Sequence, residues 1–222
     1  MKYCFLLIIG VFLLGYSGCS TEGKKGQSDI ANGMELSVEP GEHWLEKMKV
    51  FIFSIKKAPQ MAAWIENNQG QYVSTITVTN KSAVKKWRNG PKEGRPEALP
   101  VWNHKAMDSM AQVDSVSAAT SKKGINLMAD NTSLIKGSEY NVYLEVNHSF
   151  DYNETWPKKE NDVNGQPSLV YHAKFTAGMS GRIELKPMGY GSADGSDGNI
   201  VNGLTGMTTA LIIIDSAYLI VN

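Results

Sequence analysis

From residue 34 onward the chain breaks into short apolar or alternating runs bounded by turn-forming residues, the pattern of an all-β domain. Residues 47–55 are apolar on both faces, which predicts a strand central in its sheet. Residues 60–66 and 71–79 form two more strands, joined by Asn67, Asn68, Gln69 and Gly70, where Asn and Gly supply positive φ. Residues 140–150 alternate most cleanly, with Val142, Leu144, Val146 and His148 opposed to Tyr143, Glu145 and Asn147. Strand character resumes over 168–176, 182–188 and 207–221, the last apolar enough to be buried on both faces.

Between these runs the pattern fails in an informative way. Residues 82–89 suit a helical turn with Val84 and Trp87 on one side, residues 90–96 are rich in Gly and Pro, and residues 97–104 contain too much Pro for a strong helix. A long irregular connection therefore runs from about residue 90 to the 120s, and in a compact domain such a connection is more often functional than accidental. The elements together predict an all-β fold, an antiparallel β-sandwich with long loops, for which an immunoglobulin-like arrangement is one option. Alternation does not fix the strand order.

The start of the chain changes the picture of where this domain works. A short basic opening precedes an apolar run through Leu14, then Gly15, Tyr16, Ser17, Gly18 and Cys19. This resembles a bacterial lipoprotein signal, with residues 1–18 removed and Cys19 acylated. Residues 19–33 read as a polar tether and 34–222 as a single domain. The expected location is the bacterial cell envelope, outside the cytoplasm and held by lipid at a membrane. Cys4 and Cys19 are the only cysteines, so the mature domain has no disulfide, thiolate zinc site or catalytic thiol. Lys+Arg and Asp+Glu are both 22, and this balance argues against nucleic acid as a partner.

One stretch in the long connection carries candidate chemistry: Asp114, Ser117, Ala118, Ala119 and Thr120, closed by Lys122, Lys123 and Gly124. It resembles the acceptor motif of proteins that receive covalent FMN from a periplasmic flavin transferase, with Ala118 where the motif commonly has Gly. The resemblance implies that the Thr120 hydroxyl is esterified to the FMN phosphate, that Asp114 helps the transferase place the acceptor, and that Ser117 and its small neighbours leave the approach open. The plainer reading is that Asp114 caps a turn and the small residues pack under a strand.

Further words, in order, are Met61 to Glu66 with Gly70, Tyr72 and Val73; Arg95, Pro96 and Glu97 through His104; Tyr143 to Asn147; Phe150 to Asn153; and Asn164 to Ser168. With the acceptor-like stretch they resemble the predicted periplasmic family called domain of unknown function 2271, over roughly residues 50–175. The resemblance implies an extracytoplasmic β-rich domain found alongside redox and flavin-transfer proteins, with no settled activity to inherit.

Other candidates are weaker. His148 and His172 stand on separate strands that could bring them together, although ordinary strand positions are the simpler reading, and no metal site is expected. Residues 194–199 offer calcium-friendly oxygens without the ligand spacing of an EF-hand, and a surface turn suits them better. Trp87, Trp102 and Trp156 form either a binding platform or covers over the core. No triad is legible and no catalytic residue is assigned. The leading expectation is a lipid-anchored covalent FMN carrier served by a flavin transferase and redox proteins, without enzymatic turnover of its own. The alternative is a cofactor-free β-sandwich module that binds a glycan or a partner protein.

Overall fold

The computed structural model of the protein describes residues 33–50, 53–83, 94–107, 117–118, 121–161 and 163–222. The predicted all-β sandwich is what the chain forms. A seven-stranded sheet is built from β4 (Gln60–Asn67), β5 (Tyr72–Thr79), β6 (Ser117–Ala118), β8 (Glu139–Asn147), β9 (Leu169–Thr176), β11 (Lys186–Tyr190) and β12 (Val201–Asn202). Its order is β12-β11-β9-β8-β4-β5-β6. A four-stranded sheet takes β1 (Met34–Pro40), β7 (Ile125–Ala129), β10 (Gly181–Glu184) and β13 (Ile214–Val221), in the order β10-β13-β1-β7. β2 (Glu46–Val50) and β3 (Phe53–Lys57) pair only with each other. All pairings are antiparallel except the two-residue ladder between β5 and β6.

The period-2 pattern explains the packing of the two large sheets. Met61, Ala63 and Ile65 of β4 lie in register with Val146, Leu144 and Val142 of β8, and these with Leu169, Tyr171 and Ala173 of β9. They meet Met34, Leu36 and Val38 of β1 and Ala217, Leu219 and Val221 of β13 to form the main core. The predicted hairpin at 60–79 is present. Gly70 adopts φ +76°, and the Asn67 side-chain oxygen accepts the N–H groups of Gln69 and Gln71.

The seven-stranded sheet is also covered on its outer face. There Ala62, Trp64, Val78 and Val170 pack under Leu99, Val101, Trp102 and Ala106 as a second core. Val101 and Trp102 lie on a six-residue helix, α2 (Pro100–Lys105), whose caps are Leu99 and Ala106 and which follows a 3-10 turn (Pro96–Ala98). Pro100 starts the helix, where its missing N–H costs nothing, so this Pro-rich stretch does hold a helix.

Three other expectations are corrected. The 47–55 run is split between β2 and β3 of a separate hairpin and is not a central strand. The 182–188 run is two strands in different sheets, because the chain crosses from one to the other at buried Leu185. In the C-terminal run, Thr209–Ile212 forms a 3-10 turn and the strand begins at Ile214. A four-residue helix, α1 (Asn80–Ala83), takes in the start of the helical turn expected at 82–89, and residues 84–89, with Val84 and Trp87, lie outside the described residues.

Leu144 is fully buried in the middle of the inner face. Replacing Leu144 with Ala is expected to lower unfolding free energy by about 2–5 kcal/mol, measured by denaturant titration. A loss well under 1 kcal/mol would show that the two sheets do not close on this residue.

Candidate functional site

Of the residues assigned from sequence, Cys19, Asp114 and Thr120 lie outside the described residues. Ser117 begins β6, where Ser117 and Ala118 pair with Val78 and Thr79 at the C-terminal end of β5. On the other side of Thr120, the Ser121 carbonyl accepts the indole N–H of buried Trp44 at 2.9 Å. Both flanks of the acceptor-like stretch are therefore fixed at one pole of the sandwich. This is the end where β5 finishes, β4 begins and β1 gives way to the loop bearing His43.

The same pole gathers ionisable groups that are far apart in sequence. The His43 Nε2 atom is 3.6 Å from the Asp151 carboxylate, and the His43 and His148 rings meet edge to face at 5.2 Å. His148 Nε2 lies 3.0 Å from the His43 carbonyl, and its Nδ1 is 3.8 Å from Glu46. The facing Asp151 carboxylate raises the His43 imidazole above its usual value while burial opposes it. Burial, then the neighbouring His43, pushes His148 down to about 4, so His148 is neutral near pH 7. Burial, followed by repulsion from Asp151, raises Glu46.

The local backbone holds Asp151 in place. The Thr209 hydroxyl donates to its Oδ1. Gly165 (φ +78°) bridges to Asp151 so closely that a Cβ there would sit 2.5 Å from the Asp151 carbonyl oxygen. Phe150 adopts φ +69°, a strained conformation for a bulky residue that tends to concentrate at functional positions.

Cations border the cluster. The Arg95 Nε donates to Glu97 at 2.6 Å and its Nη1 to the Ser149 hydroxyl at 2.8 Å. Lys57 is held below the usual lysine value by burial and then by Lys81, with Arg95 adding to the effect. The helix α1, which carries Lys81, lies against β6. The arrangement places the His43 and Asp151 pair at the same pole as Lys57, Lys81 and Arg95.

A second polar constellation fixes the outer cover of the seven-stranded sheet. Glu145 is completely buried on β8. Its carboxylate accepts the backbone N–H groups of Val101 and Trp102 at 3.1 and 2.8 Å and the Ser168 hydroxyl at 2.6 Å. Burial is the larger effect and pushes its carboxyl up to about 7, against the pull of these donors. Nearby, buried Glu66 accepts the Trp64 indole N–H at 2.9 Å and lies 3.1 Å from the Lys105 ammonium.

His148 and His172 do not meet: His172 lies on the outer face, tilted against Tyr143 and 2.9 Å from the Asn141 side chain. His104 approaches the Gly195 carbonyl. Among the described residues no group of three or more His, Cys, Asp or Glu side chains is arranged to hold a metal ion. In the 194–199 loop, Asp194 and Asp197 accept backbone N–H groups two residues on, so these oxygens serve turns. Trp102 is 1% exposed with its indole N–H on Thr75, which removes it from any binding platform. Trp156 packs edge to face on Tyr190 and covers the main core. Trp87 lies outside the described residues. The His43, Glu46 and Asp151 cluster had no sequence signal, since no spacing links residues more than a hundred positions apart.

Fold and site define an all-β sandwich protein with a cluster of ionisable residues, His43, Glu46, His148 and Asp151, at one pole. Residues 53–155, a little under half of the chain, match the model of a family described as predicted periplasmic protein (DUF2271). The matched segment runs from β3 to the loop after β8 and takes in the acceptor-like stretch, α2 and Glu145. No curated protein and no solved structure matches the chain. Among the described residues no helix is long and apolar enough to cross a membrane.

Glu145 gives this architecture a testable pH dependence. Its carboxyl titrates near 7 when folded and near 4.5 when unfolded. The folded chain thus keeps a proton that the unfolded chain releases, so this contribution is fully present below pH 4.5 and is lost as pH rises through 7. Relative to Glu145→Gln, the native protein is expected to lose up to about 3 kcal/mol between pH 4.5 and pH 8, measured by unfolding at each pH. Parallel pH profiles for the two proteins would show that Glu145 is ionised throughout.

Proposed function

We propose that the chain is a lipid-anchored extracytoplasmic β-sandwich that carries FMN esterified to Thr120 and serves electron transfer. The observation that carries this reading is the fixing of both flanks of the motif at the polar pole. Ser117 and Ala118 ladder onto β5, and Ser121 is held by Trp44.

The residues nearby fit a phosphodiester. Lys81 and Arg95 lie close enough to Lys57 to lower its pKa, and Lys122 and Lys123, just beyond Ser121, are exposed. In the transfer, the Thr120 hydroxyl oxygen would attack the FMN phosphorus of a flavin dinucleotide. The P–O bond to the nucleotide leaving group breaks, and the hydroxyl proton passes to the transferase. Asp114 and Ser117 would position the segment, and the lysine and arginine rim would stabilise the phosphodiester. When bound, FMN would supply the redox chemistry, with the protein contributing position and electrostatics.

The test is intact mass after coexpression in the periplasm with a flavin transferase, beside a Thr120→Ala control. One added FMN that disappears in the control is the expected result. An unmodified mass, with the transferase active on a known acceptor, would reduce the 114–120 stretch to loop architecture.

A further inference from the structure

The three most exposed large apolar side chains among the described residues are Ile135 (70%), Met128 (66%) and Met179 (65%). All lie at one end of the sandwich. Met34, Ala129, Gly181 and Val221 share one level of the four-stranded sheet there, with Met128 one residue inward from Ala129. The loops bearing Ile135 and Met179 close over this level. The Gly137 N–H donates to the Ala177 carbonyl, and Met34, Leu134, Lys136, Gly178 and Val221 line a common depression. The β4–β5 turn reaches the same end, and the Lys105 ammonium touches its Gly70 carbonyl. Met107, 60% exposed, follows two residues later.

This is also the end at which the N-terminal segment joins the domain, since the Gly33 carbonyl accepts the Asn222 N–H beside the Met34–Val221 pair. The polar pole with Ser117, Ser121 and His43 lies at the opposite end of β1, whose seven residues span about 24 Å.

We infer that the Ile135, Met179 and Met128 end is a membrane-docking surface that rests its apolar tips in the lipid interface and holds the polar pole outward. This rests on the lipid-anchor reading of Cys19. The 14 residues 20–33 would span only about 20 Å as a polar coil, so an acylated Cys19 keeps this end close to the bilayer. Apolar contact then supplies the second attachment that strengthens a lipid anchor. Asp130 and Glu139 stand in the same loop region as Lys136, so charge of both signs is present and the attraction is apolar, not directed at anionic headgroups.

The test uses the full chain matured in the cell envelope, with single substitutions Ile135→Cys, Met179→Cys or Ser196→Cys. Ser196 is exposed in the loop where Gly195 packs on Pro96 and Glu97, away from the tether end. Each protein is labelled with a polarity-sensitive fluorophore and reconstituted in phosphatidylcholine vesicles containing a shallow nitroxide-lipid quencher. Flotation with the vesicles reports the anchor, and quenching reports docking. The expected result is flotation of all three, with the labels at 135 and 179 quenched about twofold or more and the label at 196 unquenched, as insertion by ~5–10 Å requires. Flotation with unquenched labels at 135 and 179 overturns the docking surface and leaves the anchor standing. Failure to float overturns both. Excimer emission from pyrene placed at Ile135→Cys would replace the bilayer with a second copy of the chain as the occupant.

Discussion

Glu145 sits on the outer face of the seven-stranded sheet with no exposed surface, and a carboxylate in that position costs several kcal/mol unless donors meet it. The donors come from elements remote in sequence, the first turn of α2 and Ser168 at the start of β9. The cover over the outer face is thus fixed by a polar contact before its apolar contacts count. Leu99, Val101 and Trp102 are aimed at Ala62, Trp64 and Val170 because the N–H groups of Val101 and Trp102 must reach this one carboxylate. A six-residue helix has little stability alone, so its position is owed to this cap and to the packing beneath it.

The same cover links the outer face to the pole. The segment that ends in α2 begins at Arg95, whose guanidinium reaches Glu97 and Ser149 beside the His148 and Asp151 cluster. Asn147 and Asn164 tie that region to the Glu97 carbonyl. The segment from Arg95 to Lys105 thus joins the surroundings of the ionisable cluster to the outer core.

Much of the sandwich was legible because β4, β5, β8 and β9 carry clean alternation and one unmistakable turn at Asn67 to Gly70. What was not legible depended on partners. Residues 181–190 keep one alternating texture across buried Leu185 while changing sheets, since alternation records which face is inside and not which strand is adjacent. The 47–55 run is divided between the antiparallel strands β2 and β3, and it contains no Gly, Pro, Asn or Asp to announce that division. Glu145 read as an outward polar residue, and its face was correct. Its burial followed from the cover, whose apolar Leu99, Val101 and Trp102 in an irregular stretch were the available hint of an unfilled face. The His43, Glu46 and Asp151 cluster exists only once the fold brings the segment from His43 to Glu46 against the loop after β8.

The edges of the two sheets bear on how a transferase could reach the acceptor-like stretch. β6, β12, β10 and β7 are the edge strands, and all are short, which blunts pairing with other chains. β6 is the extreme case, two residues in a parallel ladder at the end of β5. So short a ladder contributes little to stability, so Ser117 and Ala118 belong among the cheapest backbone in the sheet to detach. An enzyme that must draw a hydroxyl two residues further along into its own site would find less resistance here than at any central strand. The Trp44 contact to Ser121 would meanwhile keep the far side of the stretch attached to the pole.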